Sequence, residues 1–280
     1  MAKTKTAGAA APRSETSETI RFLLKLALFV LILRSFIVAP FSIPSESMLP
    51  RLLIGDYLFV SKWNYGYSRW SLPGGVVPFP AIRWSQPTRG DVVVFRSPDP
   101  APGDNDPAHA DHDVIKRVIG LPGDTVQMRG GQLILNGTAI PKQRIADFVL
   151  PLTPNFDERH CDAAFRDSGP DGSTVCRYRR YRETLPGGRS YAVLDQRDIP
   201  DADDTGVYTV PANTVFLMGD NRDDSADSRF PFPQGMGLIP MDRIEGRAMV
   251  SFFSTDGSAE WIKPWTWVSA ARWDRIGEGF

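Results

Sequence analysis

Histidine is scarce, cysteine scarcer, and neither sign of charge predominates in these 280 residues. The three histidines are His109, His112 and His160, the two cysteines are Cys161 and Cys176, and the formal net charge is -1. With Lys and Arg scattered along a near-neutral chain there is no electrostatic footprint for nucleic acid, and that class is excluded. Also absent are internal repeats, a Gly-x-Ser-x-Gly elbow, a His-Glu-x-x-His helix, a Ser-x-x-Lys element and a phosphate-cradling glycine loop. Each absence removes a catalytic class that depends on that element. His109-Ala110-Asp111-His112-Asp113 comes nearest to a metal motif, but its Pro- and Asp-rich surroundings offer no rigid element to fix ligands. Neither metal nor cofactor is expected.

A long uncharged hydrophobic run is missing too. Residues 1–19 are rich in Ala, Thr and Ser and read as a mobile tail. From Ile20 the composition turns apolar, yet Arg21, Lys25 and Arg34 interrupt it and only Leu26 to Leu33 is strictly uncharged. Twenty helical residues cover about 30 Å, the thickness of a hydrocarbon core. Lys25 and Arg34, near opposite ends, can snorkel to opposite interfaces. Residues 20–40 are therefore expected to form one transmembrane anchor stopped by Pro40 and Pro44. A cleaved signal peptide and a buried amphipathic helix are the alternatives. Lys3, Lys5 and Arg13 precede the span and Arg21 stands at its start, which places the tail in the cytoplasm and everything after Pro40 on the exported side. Cys161 and Cys176 suit an oxidising compartment and can close a small disulfide ring, two free thiols being the other reading.

What remains is ample for a folded core, with 42% hydrophobic residues. Short apolar, β-branched runs recur at Tyr57 to Val60, Asp91 to Phe95, Val114 to Ile119, Gln132 to Leu135, Tyr191 to Leu194, Thr214 to Met218 and Ala248 to Phe253. Asn136-Gly137 after Leu135 signals a hairpin, and this turn reading is preferred to a glycosylation acceptor. No long amphipathic helical pattern follows residue 50, so a mainly antiparallel β fold is expected. Aromatics concentrate at Trp63, Tyr65, Tyr67, Trp70, Phe79 and Trp84, and again at Trp261, Trp265, Trp267 and Trp273. Both groups suit a lipid interface as well as ordinary packing.

Three polar runs stand out. Pro44-Ser45-Glu46-Ser47-Met48 places two hydroxyls two residues apart just beyond the apolar segment. Asp113-Val114-Ile115-Lys116-Arg117 embeds a lysine among aliphatics. A serine is a poor nucleophile until a base takes its proton, and a lysine amine whose pKa is lowered by burial can do that. In an extended strand Lys116 shares a face with Val114 and Val118, while Arg117 stays protonated and is better suited to pair with a carboxylate. Taken alone, a lysine in an apolar strand is more often a snorkelling edge residue. The third run, Gly219 to Arg229, follows a strand and lacks the spacing of a calcium loop, so a network of Asp-Arg pairs holding a site rigid is expected.

With these runs in hand the chain resembles the bacterial type I signal peptidases, membrane-bound serine proteases that remove signal peptides. The resemblance covers about Arg34 to Arg247 through four ordered motifs: Pro44 to Pro50 with Ile54-Gly55-Asp56, Arg89 to Phe95, Lys116 to Asp124, and Gly219 to Arg229. It implies Ser47 as nucleophile and Lys116 as general base. It implies Ser45 and the Ser47 amide as oxyanion donors, each worth about 3 kcal/mol in such sites. Ser225 would orient the lysine, with Asp227, Arg229 and Gly219 in support. Phe41, Ile43, Pro44, Met48, Leu52, Asp113, Val114 and Ile115 would meet the substrate, in apolar pockets that admit small side chains and exclude bulk. Arg51 stands where the family commonly has threonine, and Glu46 where a small residue is frequent.

The resemblance implies cleavage of exported preproteins after a small-x-small motif through an acyl-enzyme, with signal peptides and the lipid bilayer as partners and no cofactor. It places the chain in the bacterial cytoplasmic membrane with its catalytic domain on the periplasmic side. The expected organisation is a tail (1–19), an anchor (20–40), a catalytic β core (41–125 and 211–255), an inserted β domain (126–210) and a C-terminal aromatic and basic segment (256–280). A tethered, non-enzymatic scaffold that keeps the strands would not need Ser47 near Lys116. A peptidase dedicated to one partner would share the same motifs.

Overall fold

The computed structural model describes residues 15–75, 77–97, 112–260 and 262–280. The tail as far as residue 14, residues 109–111 of the histidine loop and Trp261 lie outside the described residues.

Helix α1 (Glu15–Ile32) continues through a π-helical turn at Leu33–Ile37 directly into strand β1 (Val38–Ser42). Nothing in α1 is buried, and Phe22 and Leu24 are each 64% exposed. No described helix is long and apolar enough to cross a membrane; Glu15, Glu18, Arg21 and Lys25 all fall within α1. The expected 20–40 boundary needs correction, since Val38, Ala39 and Pro40 are extended. Pro40 is tolerated there because β1 is an edge strand with a neighbour on one side only, so the missing N–H interrupts no ladder.

Along the chain follow β2 (Asp56–Ser61), a short pair β3 (Gly66–Tyr67) and β4 (Ile82–Arg83), β5 (Val92–Arg96), β6 (Asp113–Gly120), β7 (Thr125–Arg129), β8 (Gln132–Leu135) and β9 (Thr138–Ala139). Next come β10 (Lys142–Pro151), β11 (Arg166–Ser168), β12 (Thr174–Thr184), β13 (Ser190–Leu194), helix α2 (Pro200–Asp203), β14 (Tyr208–Thr209), β15 (Thr214–Met218), β16 (Ile239–Pro240), β17 (Ile244–Ser254) and helix α3 (Trp265–Ala270). The main sheet is antiparallel, in the order β1-β2-β17-β5-β6-β15-β16. Its two faces take alternate residues of β5: Val92 and Val94 pack with Ile43, Met48, Leu52 and Ile115, whereas Val93 and Phe95 pack with Val118, Val215 and Leu217. The fold is thus mainly antiparallel β with a few short helices.

Asn136 and Gly137 both take positive φ, 52° and 76°, closing the β8–β9 hairpin with Leu135 opposite Thr138. Here glycine's freedom at positive φ is used as the two-residue turn requires.

The segment 126–210 builds two further sheets, β10-β12-β11 with β13 beside β12, and β14-β7-β8-β9. It also shares its core with the main sheet, since Val126, Met128, Leu133 and Val193 pack with Ile119, Phe216 and Met218. Cys161 and Cys176 are joined by a disulfide, buried beside Leu49, Leu53 and Ile54 of the segment that carries Ser47. Residues 270–280 fold back over β2 and β17, where Arg275 holds the fully buried Asp56 carboxylate at 2.7 Å and Arg272 donates to Ser254.

Candidate active site

Ser47 sits in the turn region between β1 and β2, pinned by its apolar neighbours: Met48, Leu49 and Leu52 are completely buried. Their burial, about 1.5–3 kcal/mol per side chain, fixes where the serine projects. The Leu52 amide closes the turn on the Met48 carbonyl at 2.9 Å and the Leu49 amide on the Glu46 carbonyl at 2.9 Å. Lys116 lies opposite Val93 in the β5–β6 ladder. Its Nζ is 2.7 Å from Ser47 Oγ and donates a second, longer bond of 3.2 Å to the Ile115 carbonyl. Ser47 and Lys116 are 8% and 4% exposed. At such a distance a proton can pass between hydroxyl and amine.

Burial lowers the Lys116 pKa from 10.5 to about 8, opposed by the charges of Asp227 and Asp220 and assisted by Arg229. About a tenth of the amine is therefore uncharged at pH 7, against well under a thousandth for an ordinary lysine, and the neutral form is what a proton acceptor needs.

The loop Gly219 to Arg229 clamps this pair. The Asn221 amide donates to the Ser47 carbonyl at 3.1 Å, and Asn221 Nδ2 donates to the Glu46 carbonyl at 3.3 Å and to Asp224 at 3.1 Å. Asp227, wholly buried, accepts from the Gly219 amide at 2.9 Å and from Arg229 Nε at 2.9 Å. Burial would raise the Asp227 carboxyl, but the Arg229 guanidinium more than offsets this and holds it below its ordinary value. Arg229 also donates to the Arg222 carbonyl at 2.6 Å. Gly219 is required by close approach: a Cβ there would stand 2.3 Å from Ser225 Oγ and 2.5 Å from the Ser47 carbonyl oxygen.

The other expected residues divide. Ser45 Oγ is 3.5 Å from Ser47 Oγ on the exposed side. Ile43, Met48, Leu52 and Ile115 share one buried cluster with Phe41 against it, while Pro44 is exposed. Val114 packs instead on the cluster of Val93 and Phe95, because strand alternation sends it to the face opposite Ile115. Asp113 opens β6 and pairs with Arg96 at 2.9 Å. Ser225 was expected to orient the lysine; its buried Oγ makes no hydrogen bond to Lys116 or to any other described group. Glu46 and Arg51 are accommodated, Arg51 through an ion pair with Glu278 at 2.7 Å. His160 contacts Asp157. Among the described residues no cluster of three or more His, Cys, Asp or Glu is arranged to hold a metal ion.

Sequence reasoning expected a carboxylate for Arg117 and Asp-Arg pairs in the loop, but not the partners that lock the loop to the sheet. Arg117 forms a two-armed pair with Asp220, 2.6 and 2.5 Å, and Arg222 does the same with Glu183 of β12, all four buried. It also passed over Lys62, whose buried pair with Glu245 at 2.6 Å reaches Arg96 and so Asp113. The signal for Asn221, Asp220 and Arg222 was their place inside the third polar run; Glu183 and Lys62 had none.

The sequence pattern of the family described as signal peptidase, peptidase S26, matches residues 16–253. A signal peptidase I of Rickettsia typhi is 33% identical over 80% of this chain and 75% of its own length. One from Pseudomonas fluorescens is 36% identical over 80% of this chain and 68% of its own. A solved signal peptidase I structure from Enterococcus faecalis is 24% identical, with a TM-score of 0.29 over 58% of this chain and 97% of that one. The match across nearly the whole folded chain, set beside the serine and lysine brought together here, leads to one assignment: this chain belongs to the signal peptidase I family of S26 serine peptidases, enzymes that remove signal peptides.

Proposed function

We propose that Ser47 is the nucleophile and Lys116 its general base in a membrane-associated endopeptidase acting on exported preproteins. The observation that carries this reading is the 2.7 Å contact between Ser47 Oγ and an almost fully buried amine. Neutral Lys116 takes the hydroxyl proton as Oγ attacks the carbonyl carbon. The tetrahedral oxyanion is met by the Ser47 amide and the Ser45 hydroxyl. Protonated Lys116 returns the proton to the departing amine, which leaves as the new N-terminus of the mature chain. Water, losing a proton to Lys116, then cleaves the Ser47 ester and frees the signal peptide carboxylate.

Substrate is held in this reading as an extended chain along open sheet edges. β1 pairs only with β2, and β6 meets β15 only from Arg117 onward, which leaves the ladder from Asp113 to Lys116 open on that side. Ile43, Met48, Leu52 and Ile115 are already close-packed, so a substrate side chain beside them must be small, and the preference for a small-x-small motif follows from the cost of overpacking. Gly219, Asp227 and Arg229 support the geometry.

We read residues 41–125 with 211–255 as the catalytic unit and 126–210 as an insertion that braces it through Glu183. The exposed apolar length of α1 is the membrane attachment, with the N-terminus cytoplasmic and the β unit on the exported side. The test is cleavage of a preprotein by Ser47→Ala and Lys116→Ala proteins that still sediment with membranes. Loss of cleavage in both is expected, and full activity in either rejects the pair.

A further inference from the structure

A cavity of about 590 Å³ opens between the Pro50-Arg51 end of the serine-bearing turn, strands β10, β12 and β13, and residues 275–280. Six guanidinium groups line it, those of Arg51, Arg117, Arg180, Arg182, Arg189 and Arg275, against one carboxylate, Glu278. Four of the six are tied to acids: Arg117 to Asp220, Arg275 to Asp56, Arg189 to Asp91 and Arg51 to Glu278. Arg180 donates Nε to the Ala146 carbonyl, and among the described residues neither Arg180 nor exposed Arg182 has a carboxylate partner. Two uncompensated guanidinium forks in a concave wall are suited to carboxylates. Ile145, Phe148 and Phe280 supply apolar surface beside them.

Position favours a polypeptide as the source of those carboxylates. Pro50 is three residues beyond Ser47, so the cavity rim lies within about 11 Å of the serine Cα. Arg117 follows Lys116 in β6, with its side chain on the opposite face of the strand. An extended substrate covers about 3.3 Å per residue, so side chains a few residues beyond the cleaved bond reach the rim. A lipid headgroup is the poorer fit, because none of the exposed Trp63, Trp84, Trp265, Trp267 and Trp273 lines the cavity. We propose that this cavity receives acidic side chains of the substrate segment that leaves with the new N-terminus, an inference that rests on Ser47 as the reacting residue.

The test uses the full chain in neutral detergent and two peptides identical up to the cleaved bond, one carrying Asp and Glu at the third to fifth following positions, the other Ser and Gln. At low salt the acidic peptide is expected to show a kcat/KM about three- to tenfold higher, carried by KM, and to lose the advantage near 0.5 M salt. Arg180→Ala/Arg182→Ala should abolish the advantage and leave the neutral peptide unchanged. Arg182→Glu should reverse it in a protein whose neutral-peptide cleavage reports its fold. Equal rates for the two peptides, or an advantage that survives the double substitution, would overturn the proposal. So would loss of binding to phosphatidylglycerol vesicles in the double variant with the peptide preference intact, which would assign the arginines to lipid. Binding of the acidic peptide to Ser47→Ala protein, followed by fluorescence anisotropy, tests the cavity without turnover. Cleavage of the neutral peptide by Ser47→Ala would instead reject the serine assignment alone.

Discussion

At the scale of single residues, the amine of Lys116 is where stability and chemistry pull in opposite directions. The folded state holds it near pH 8 and the unfolded chain near 10.5, so between those values the unfolded chain binds more protons and stability rises with pH. Below about 8 the buried charge costs roughly 3 kcal/mol. Lys116→Met, of similar length and uncharged, is therefore expected to abolish cleavage while leaving thermal stability at neutral pH equal to or above that of the parent. A large loss of Tm would show the amine to be a structural ion instead. Gly219→Ala makes the opposite case. Its Cβ would fall 2.5 Å from the Ser47 carbonyl oxygen, so it should cost about 1–3 kcal/mol by overpacking and lower kcat at least tenfold by displacing the serine. The Ser-Lys pairing was legible because both residues sit in dense local motifs. The orphaned hydroxyl of Ser225 was not, since no motif reports which way a buried hydroxyl turns.

At the scale of elements, the loop after β15 is held by ion pairs to β6 and β12 that no spacing rule could reveal. Asp220→Ala would leave Arg117 buried without its partner, and a loss of about 3–5 kcal/mol is expected. Asp220→Leu combined with Arg117→Leu should lose much less than the sum of the singles in a denaturant double-mutant cycle. Additive losses would mean that the two groups do not act as a pair. The strands read from the sequence were the apolar ones of the main sheet, β13 at Tyr191 to Leu194 and the β8–β9 hairpin, where β-branched runs and Asn136-Gly137 speak plainly. β12 escaped because of its arginines, as in Arg177-Tyr178-Arg179-Arg180-Tyr181-Arg182, which mask the apolar half of the pattern, and β10 because its first half is polar and charged, Lys142-Gln143-Arg144 and Asp147. The end of α1 was misplaced because Pro40 reads as a helix stop, while the structure uses it in an edge strand.

Across the whole molecule, three parts converge on one short turn: the main sheet brings Lys116, the loop brings Asn221, and the 126–210 segment packs its disulfide beneath Leu49 and Leu53. Replacing Cys161 and Cys176 by Ser opens a ring of sequence separation 15. The expected loss is about 3 kcal/mol, read as a lower Tm with kcat/KM unchanged well below it. A fall in kcat/KM in the still-folded protein would show that the disulfide sets the serine's position and not only its stability. The measurement that bears most directly on the account is the pH dependence of kcat/KM for a peptide with small residues before the cleaved bond. Proton transfer to neutral Lys116 predicts a rate that climbs tenfold per unit at low pH and levels off about a midpoint near 8. A rate independent of pH across that range, or one still climbing with a midpoint at the 10.5 of an ordinary lysine, would contradict it.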